Sequence, residues 1–549
     1  MTSGNPASLR KDRAEARPFE RVLIANRGEI AVRIIRACRE LGIETVAVYS
    51  DADVDAAHVR MADQAVRLGP APAVASYLDG DAIVAAAGAT RAQAIHPGYG
   101  FLAERASFAR ATEEAGIVFI GPSSRTIEML GDKVAARRAA ASADVSILPG
   151  SLEPFAPEDP DAMAAIRVEA ERIGFPLLVK AAAGGGGRGM RRVLAAADLP
   201  AALVAGAAEA LAAFGDGAVY LEREIHPARH IEVQLLGDVQ GTIVAIGERD
   251  CSLQPRHQKL LEEAPAPFID TAERRSLHEM AVRAAKAVGL VNAATAEFLF
   301  DGDRRFWFLE INTRLQVEHG VSELVADIDI VREQLWLAAG HPLSERVLAA
   351  ADRAAQPTRH AIEVRLSAED PGRGFAPSPG TIGRWEMPAG PGIRIDTAVG
   401  AGTRVVPDYD PLLAKLMVVD ETRDAAIERL RRALDETTIG GIQTTLPFHR
   451  YIVGDPGFRV GELSVDWVDR HWAEIAADRR TAAFAVAAHA AAAATAAAAA
   501  DNGAAGPAPA TQQASAGRLP TGAAAGSSGG DASGWSVAGR ARAVDRWPR

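Results

Sequence analysis

Three groups of residues in this 549-residue chain have types and spacings suited to chemistry. In the first, "LLVKAAAGGGGRGMR", Lys180, four consecutive glycines and two arginines follow an apolar run. Residues 184–189 satisfy G-x-G-x-x-G, a weak sign of dinucleotide binding, and lack the Lys-Ser or Lys-Thr of a Walker loop. A Rossmann loop opens into a helix, whereas "MRRVL" is short and strand-like, so the pattern reads as strand, glycine turn, strand. Such a hairpin can close over a nucleotide as a lid, because glycine N–H groups reach phosphates without Cβ obstruction.

The second group is "TAEFLFDGDRRFWFLEINTRLQVEH". Its apolar runs "AEFLF" and "FWFLEIN" flank the turn "DGDRR" and should pair as an antiparallel hairpin. Strand periodicity puts Glu310 and Asn312 on one face, and the register can bring Glu297 opposite them. Three oxygen donors among Phe298, Phe300, Phe306 and Phe308 are costly to bury unpaired, and magnesium carrying nucleotide phosphates is their natural partner. Arg314, Gln316 and Glu318 then alternate on a strand-like segment directly after these donors. The third group is the lysines. Only six occur (Lys11, Lys133, Lys180, Lys259, Lys286 and Lys415), and in so Arg-rich a chain a lysine marks a place for a compact charge. Lys133 lies in "GDK", Lys180 before the glycines and Lys259 in "RHQK".

The elements that must position these residues alternate in α/β fashion. "FERVLIANRGEIAVRIIRACRELGIETVAVYS" reads as a β-α-β unit of a parallel sheet, whose single turn glycine makes it structural. It opens a Rossmann-like segment at 19–131, preceded by a polar leader at 1–18 that has no signal-peptide core. Residues 132–350 carry the motifs above, with the lid at about 150–222, and 357–470 hold Gly/Pro-punctuated strands and one helix. From 475 to 549 the composition falls to Ala, Gly, Ser and Pro, which reads as a disordered tail. Its run at 482–500 has spanning length but too little Leu, Ile, Phe and Val for a membrane helix. A net charge of −11 argues against nucleic acid as the main partner. Two cysteines, Cys38 and Cys251, exclude a disulfide framework and suit the cytoplasm.

Together "IANRGEIAVRIIRACRELGI", "HPGYGFLAE", "GDK", "LLVKAAAGGGGRGMR", "RHIEVQLLGD", "ERDCSLQPRHQKLLEEAPAP", "LEINTRLQVEH" and "YDPLLAKL" resemble the biotin carboxylase component of biotin-dependent carboxylases, over roughly residues 19–470. The resemblance implies an ATP-grasp fold with an N-terminal Rossmann-like domain, a mobile glycine-rich lid and a C-terminal β-rich domain. It implies that Lys133, Lys180, Gly186 and Gly187 contact ATP phosphates and that Glu222, Arg223, Glu224 and Ile225 hold the adenine edge. His230, Gln254 and His257 would line the nucleotide and bicarbonate cavity, and Glu297, Glu310 and Asn312 would bind Mg2+ or Mn2+. Lys259, Arg314 and the Val317 backbone would hold bicarbonate, Glu318 would deprotonate it, and Arg365 would stabilise the biotin enolate.

The implied reaction forms carboxyphosphate from ATP and bicarbonate and then carboxylates biotin, as the first step of an acetyl-CoA or other acyl-CoA carboxylase. None of the eight methionines is followed by lysine, so the Met-Lys biotinylation site of carriers is missing. The expected partners are therefore a biotin carboxyl carrier protein and a carboxyltransferase subunit in trans, with a homodimer or larger complex as the assembly. Three positions depart from the family pattern: Pro255 for Arg, Ala294 for Gly and Gly320 for Pro. Another ATP-grasp ligase is the alternative enzyme. A non-catalytic paralogue is the other alternative, and the full set of metal, phosphate and base residues argues against it.

Overall fold

The computed structural model describes residues 17–155, 160–182, 190–256 and 258–479. Most of the leader, the glycine turn with Gly186 and Gly187, His257 and the chain beyond 479 lie outside these residues.

The expected β-α-β unit opens the fold. Strands β1 (Arg21–Ile24) and β2 (Glu44–Ser50) run parallel and flank helix α1 (Gly28–Glu40), which buries Ile30, Ile34 and Ile35. With β3 (Gln64–Gly69), β4 (Ala94–His96) and β5 (Val118–Phe119) they form a parallel sheet in the order β3-β2-β1-β4-β5. After β1, Asn26 donates from Nδ2 to the carbonyls of Pro97 (2.7 Å) and Tyr99 (2.8 Å), stitching the first turn to the "HPGYG" loop. Gly98 is required there: its φ is +63°, and a Cβ would lie 2.9 Å from Asn26 Nδ2.

The strands flanking the glycines pair as expected. β6 (Leu177–Ala181) is antiparallel to β7 (Arg191–Val193), with Leu177 opposite Val193, and takes β8 (Val219–Arg223) on its other edge. The apolar helix Leu199–Phe214 covers this small sheet through Leu199, Leu203 and Ala207.

The site rests on one antiparallel sheet of eight strands. Its members are β9 (Ala228–Gly237), β10 (Ile243–Leu253), β11 (Leu261–Ala264), β12 (Asn292–Asp301), β13 (Phe306–Asn312), β14 (His360–Ser367), β15 (Ile393–Thr397) and β16 (Leu412–Asp420). Their order is β13-β12-β9-β10-β11-β14-β16-β15, so the sheet runs through the junction expected near 350–357. Strands from both sides of that junction meet at β11 and β14, where Leu261 pairs with Val364. Phe298, Phe300, Phe306 and Phe308 bury the hairpin in the core, and Ala294 joins the same cluster. The C-terminal boundary expected near 475 falls inside a helix at 467–479, because Trp472 and Ala476 are buried against the β14–β16 core. Among the described residues no helix is long and apolar enough to cross a membrane.

Candidate active site

Residues that face each other across neighbouring strands share a sheet face, and here such a row is charged. Glu310 of β13 lies opposite Glu297 of β12, which lies opposite Glu232 of β9, which lies opposite Arg249 of β10. Like charges directly opposite repel, so the row holds only because cations sit against it. Arg249, fully buried, reaches Glu232 at 2.9 Å and also donates to Gln234, Ser322 and Thr295. Lys259, from the connection between β10 and β11, contacts Glu232, Glu297 (3.4 Å) and Glu318 (2.9 Å). His230 contacts Glu232 (3.1 Å) and Glu297 (3.3 Å).

The titrations follow from these contacts. Burial alone would raise the Glu297 carboxyl, but Lys259 and His230 hold it down to about 2. Burial works against charge on His230, yet Glu297 and Glu232 lift it to about 9. Burial likewise disfavours charge on Lys259, and its three carboxylates outweigh that and raise its pKa well above the usual lysine value.

Glu318 is fully buried and shared. Lys259 holds one carboxylate oxygen and Arg365 of β14 holds the other, each at 2.9 Å. Arg365 also contacts Glu262 at 2.6 Å, and burial pushes that carboxyl up to about 7. Arg314 and Glu318 do not alternate along a strand. β13 ends at Asn312, and the chain turns irregularly until Glu318 caps the helix His319–Ala326. The register with β12 stops at Asn312, and on the other side of β13 the described residues supply only the bridge of Ile147 to Phe308, so no ladder carries the strand further. Arg314 donates to Gln316 (2.7 Å) and Asn312 (3.2 Å) and meets Glu104 at 3.1 Å, while Gln316 donates to Glu297 at 3.3 Å. The carbonyl of Val317 accepts from Lys415 of β16 at 2.9 Å.

The donors suited to a cation are Glu297, Glu310 and the Asn312 amide. Glu297 and Glu310 are register partners, and the buried Nδ2 of Asn312 has no hydrogen-bond partner. Two carboxylates and an amide oxygen fit a hard cation such as Mg2+ or Mn2+. His230, Glu232 and Glu297 also bring ligating atoms within 4.8 Å of one another. That trio suits a metal poorly, because His230 is held protonated and Glu232 is already matched by Arg249 and Lys259.

Lys133 follows Asp132, whose side chain caps the helix Lys133–Ser142, and it pairs with Glu310 at 3.0 Å. Lys180 of β6 pairs with Glu222 of β8, which Arg137 contacts from the other side. The Glu222 carboxylate is thus held between two cations. Arg223 and Glu224 donate their backbone N–H groups to the carbonyls of Pro149 (2.7 Å) and Pro176 (3.1 Å), and Ile225 is half-buried. Gln254 is buried at the end of β10.

All three departures have a visible setting. Ala294 is fully buried, and its carbonyl accepts from Gln234 at 3.1 Å. A Cβ on Gly320 would lie 2.2 Å from Met417 Sδ, so Met417 fills the space that a larger residue at 320 would need. At Pro255 the carbonyl accepts from Gln258 N at 2.8 Å, closing a turn that ends just before Lys259.

Sequence reasoning missed Arg137, Glu232, Arg249, Glu262 and the placement of Lys415. A signal existed in "RHIEVQLLGD" and "GERDCSL": acids and arginines inside runs apolar enough to be buried on both faces need partners.

Three family profiles match consecutive parts of the chain. "Biotin carboxylase, N-terminal domain" matches 18–127, "Carbamoyl-phosphate synthase L chain, ATP binding domain" matches 132–346, and "Biotin carboxylase C-terminal domain" matches 363–470. The chain is 48% identical to a biotin carboxylase of Halalkalibacterium halodurans, over 82% of this chain and 98% of that one. A biotin carboxylase from Campylobacter jejuni, solved in a β-γ-ATP complex, is 43% identical, with a TM-score of 0.78 over 82% of this chain and 99% of that one. The biotin carboxylase domain dimer of Hydrogenobacter thermophilus 2-oxoglutarate carboxylase, solved with MgADP, ADP and bicarbonate, is 42% identical, with a TM-score of 0.77 over 82% of this chain and 98% of that one. Profile, sequence and structure thus agree with the charged sheet on one conclusion: the chain belongs to the biotin carboxylase family of ATP-grasp ligases.

Proposed function

We propose that this site carries out the ATP-dependent carboxylation of biotin by bicarbonate, with biotin presented on a carrier protein. The observation that carries the reading is Glu318, a fully buried carboxylate held at 2.9 Å by both Lys259 and Arg365 beside the cation-binding donors. Lys259, Arg314 and the Val317 backbone bind bicarbonate, and Glu318 takes its proton. Bicarbonate is a poor nucleophile until that proton leaves, and a desolvated carboxylate is a suitable acceptor. Lys133 and Lys180, with Gly186 and Gly187 of the lid, hold the ATP phosphates, while residues 222–225 and the cavity residues His230, Gln254 and His257 frame the nucleotide. Glu297, Glu310 and Asn312 would hold Mg2+ or Mn2+, which would neutralise phosphate charge. Arg365 is the fixed cation for the biotin ureido anion, charged at any usable pH.

The carrier and the carboxyltransferase act in trans, since no Met-Lys dipeptide exists here to receive biotin. The chain works in the cytoplasm, as a homodimer or within a larger carboxylase that serves an acyl-CoA acceptor. The test is ATP turnover by the purified chain with bicarbonate and free biotin. Phosphate release that needs bicarbonate, rises with biotin and accompanies acid-labile fixation of labelled bicarbonate is expected. Turnover indifferent to both would assign the site to another ATP-grasp reaction.

A further inference from the structure

Lys415 has no place among the groups that would touch ATP, bicarbonate or biotin, yet it is the only fully buried lysine among the described residues. In the sheet register it lies between Arg365 of β14 and Asp396 of β15, so the three side chains share one face. Its ammonium donates to the Val317 carbonyl at 2.9 Å and lies 3.3 Å from Glu29 and 3.8 Å from Asp396. Glu29 comes from the first turn of α1, in the parallel-sheet part of the molecule. Adjacent cations on one sheet face therefore grip consecutive residues: Arg365 takes the Glu318 carboxylate, and Lys415 takes the peptide just before it.

That peptide links Val317 to Glu318. Fixing its carbonyl fixes the plane that carries the Glu318 N–H and Cα, and with it the point from which the Glu318 side chain leaves the backbone. The segment needs such a hold. It lies past the end of β13 and is followed by Gly320, the residue least able to stiffen a helix start.

We propose that Lys415 is a positioning residue for bicarbonate activation: tied to Glu29 and Asp396, it pins the Val317–Glu318 peptide and so aims the base at its substrate. This rests on the function proposed above. Misplacing a reacting group by about 1 Å costs on the order of 100-fold in rate.

The test compares Lys415→Met, Glu29→Gln and the double variant with the unmodified protein, reading bicarbonate KM, kcat, MgATP affinity and thermal midpoint. Lys415→Met should lower kcat/KM for bicarbonate by on the order of 10- to 100-fold while changing MgATP affinity by less than about 3-fold. It should also lower the midpoint, because Glu29 and Asp396 lose their cation. The double variant removes one of those stranded acids and should regain stability without regaining kcat/KM. Glu29→Gln alone, which keeps the Lys415 ammonium and its bond to Val317, should cost bicarbonate kcat/KM less than Lys415→Met does. Recovery of kinetics together with stability in the double variant would make Lys415 merely structural. A folded Lys415→Met protein with unmodified bicarbonate kinetics would overturn the proposal outright. If Lys415→Met does not fold, the double variant carries the kinetic test. Failure of the functional reading itself would show separately, as an unmodified protein without bicarbonate-dependent turnover.

Discussion

The two ends of the site are built differently. At the phosphate end, Lys133 and Lys180 are about one-fifth exposed (22% and 20%) and each leans on a single nearby glutamate. They come from separate pieces, a helix start and a strand of the small sheet that carries the glycines. At the bicarbonate end, Glu318 is fully buried at a helix start and shared between two cations, next to the sheet that carries Glu232, Arg249, Glu262, Arg365 and Lys415. A lysine that still reaches solvent and has one near carboxylate can exchange that partner for an arriving phosphate. A buried network cannot exchange anything cheaply, so it keeps its geometry. One end is made to capture and release, the other to hold still.

Removing the base is the severest way to break this contrast. Glu318→Gln should lower bicarbonate-dependent turnover by about 100- to 10,000-fold and leave MgATP binding intact, read by steady-state kinetics and nucleotide titration. Near-normal biotin carboxylation by this variant would end its assignment as base. At the other end, Lys180→Gln should weaken MgATP binding by on the order of 10- to 100-fold, the value of a charged hydrogen bond, with a smaller effect on bicarbonate KM. Equal losses at both ends would mean that the site acts as one unit.

Acid should discriminate between the ends more gently. Burial holds four neutral histidines below their ordinary 6.5: His58 and His449 at about 4, His96 and His319 at about 3. Unfolding lets each take up a proton near pH 6.5, so their contribution to stability is complete above that pH and is lost as pH falls toward 4. Glu29, Glu262 and Glu369, which burial raises to about 7, and Glu363, raised well above the usual carboxylate value, work in the opposite sense and gain stability as pH falls through that range. His319 follows Glu318 directly and His449 contacts the Arg365 carbonyl at 2.8 Å, so two of the four brace the bicarbonate end. Bicarbonate-dependent turnover should fail before MgATP binding as pH falls. Thermal midpoints, nearly level from about pH 7 to 5 where the two sets oppose, should drop from about pH 4.5 to 3 as Glu263, Glu297 and Glu323, held at about 2 in the fold, lose their advantage. A midpoint that rises over that interval would contradict the assignment. The smallest effect belongs to Gly320→Ala, whose Cβ meets Met417 Sδ. Overpacking of about 1–3 kcal/mol against about 1 kcal/mol of helix propensity leaves a net loss near 1 kcal/mol, which Met417→Val should relieve in a denaturant titration.

What sequence made legible followed strong local periodicity. The four phenylalanines gave the 292–312 hairpin its inward face, and Glu297 fell opposite Glu310 as the alternation requires. The strands beside the glycines paired for the same reason. Glu318 was singled out but placed on the wrong kind of element, because an alternating Arg-x-Gln-x-Glu looks like a strand although the pairing with β12 stops at Asn312. Lys415 was illegible in role, since its partner Glu29 lies far along the chain, whereas Arg249 meets Glu232 on the adjacent strand β9 through a register interrupted by a bulge.

That strand order also sets when the site can exist. Arg365 and Glu262, which meet through the pairing of β14 with β11, are 103 residues apart in the chain. During synthesis β9 to β13 emerge first, and β11 waits with an unpaired edge until β14 follows. An open edge of this kind invites pairing with other chains. Fragments ending between 312 and 360 should therefore aggregate, and a nascent chain acquires its base-and-arginine pair only once residue 365 has left the ribosome.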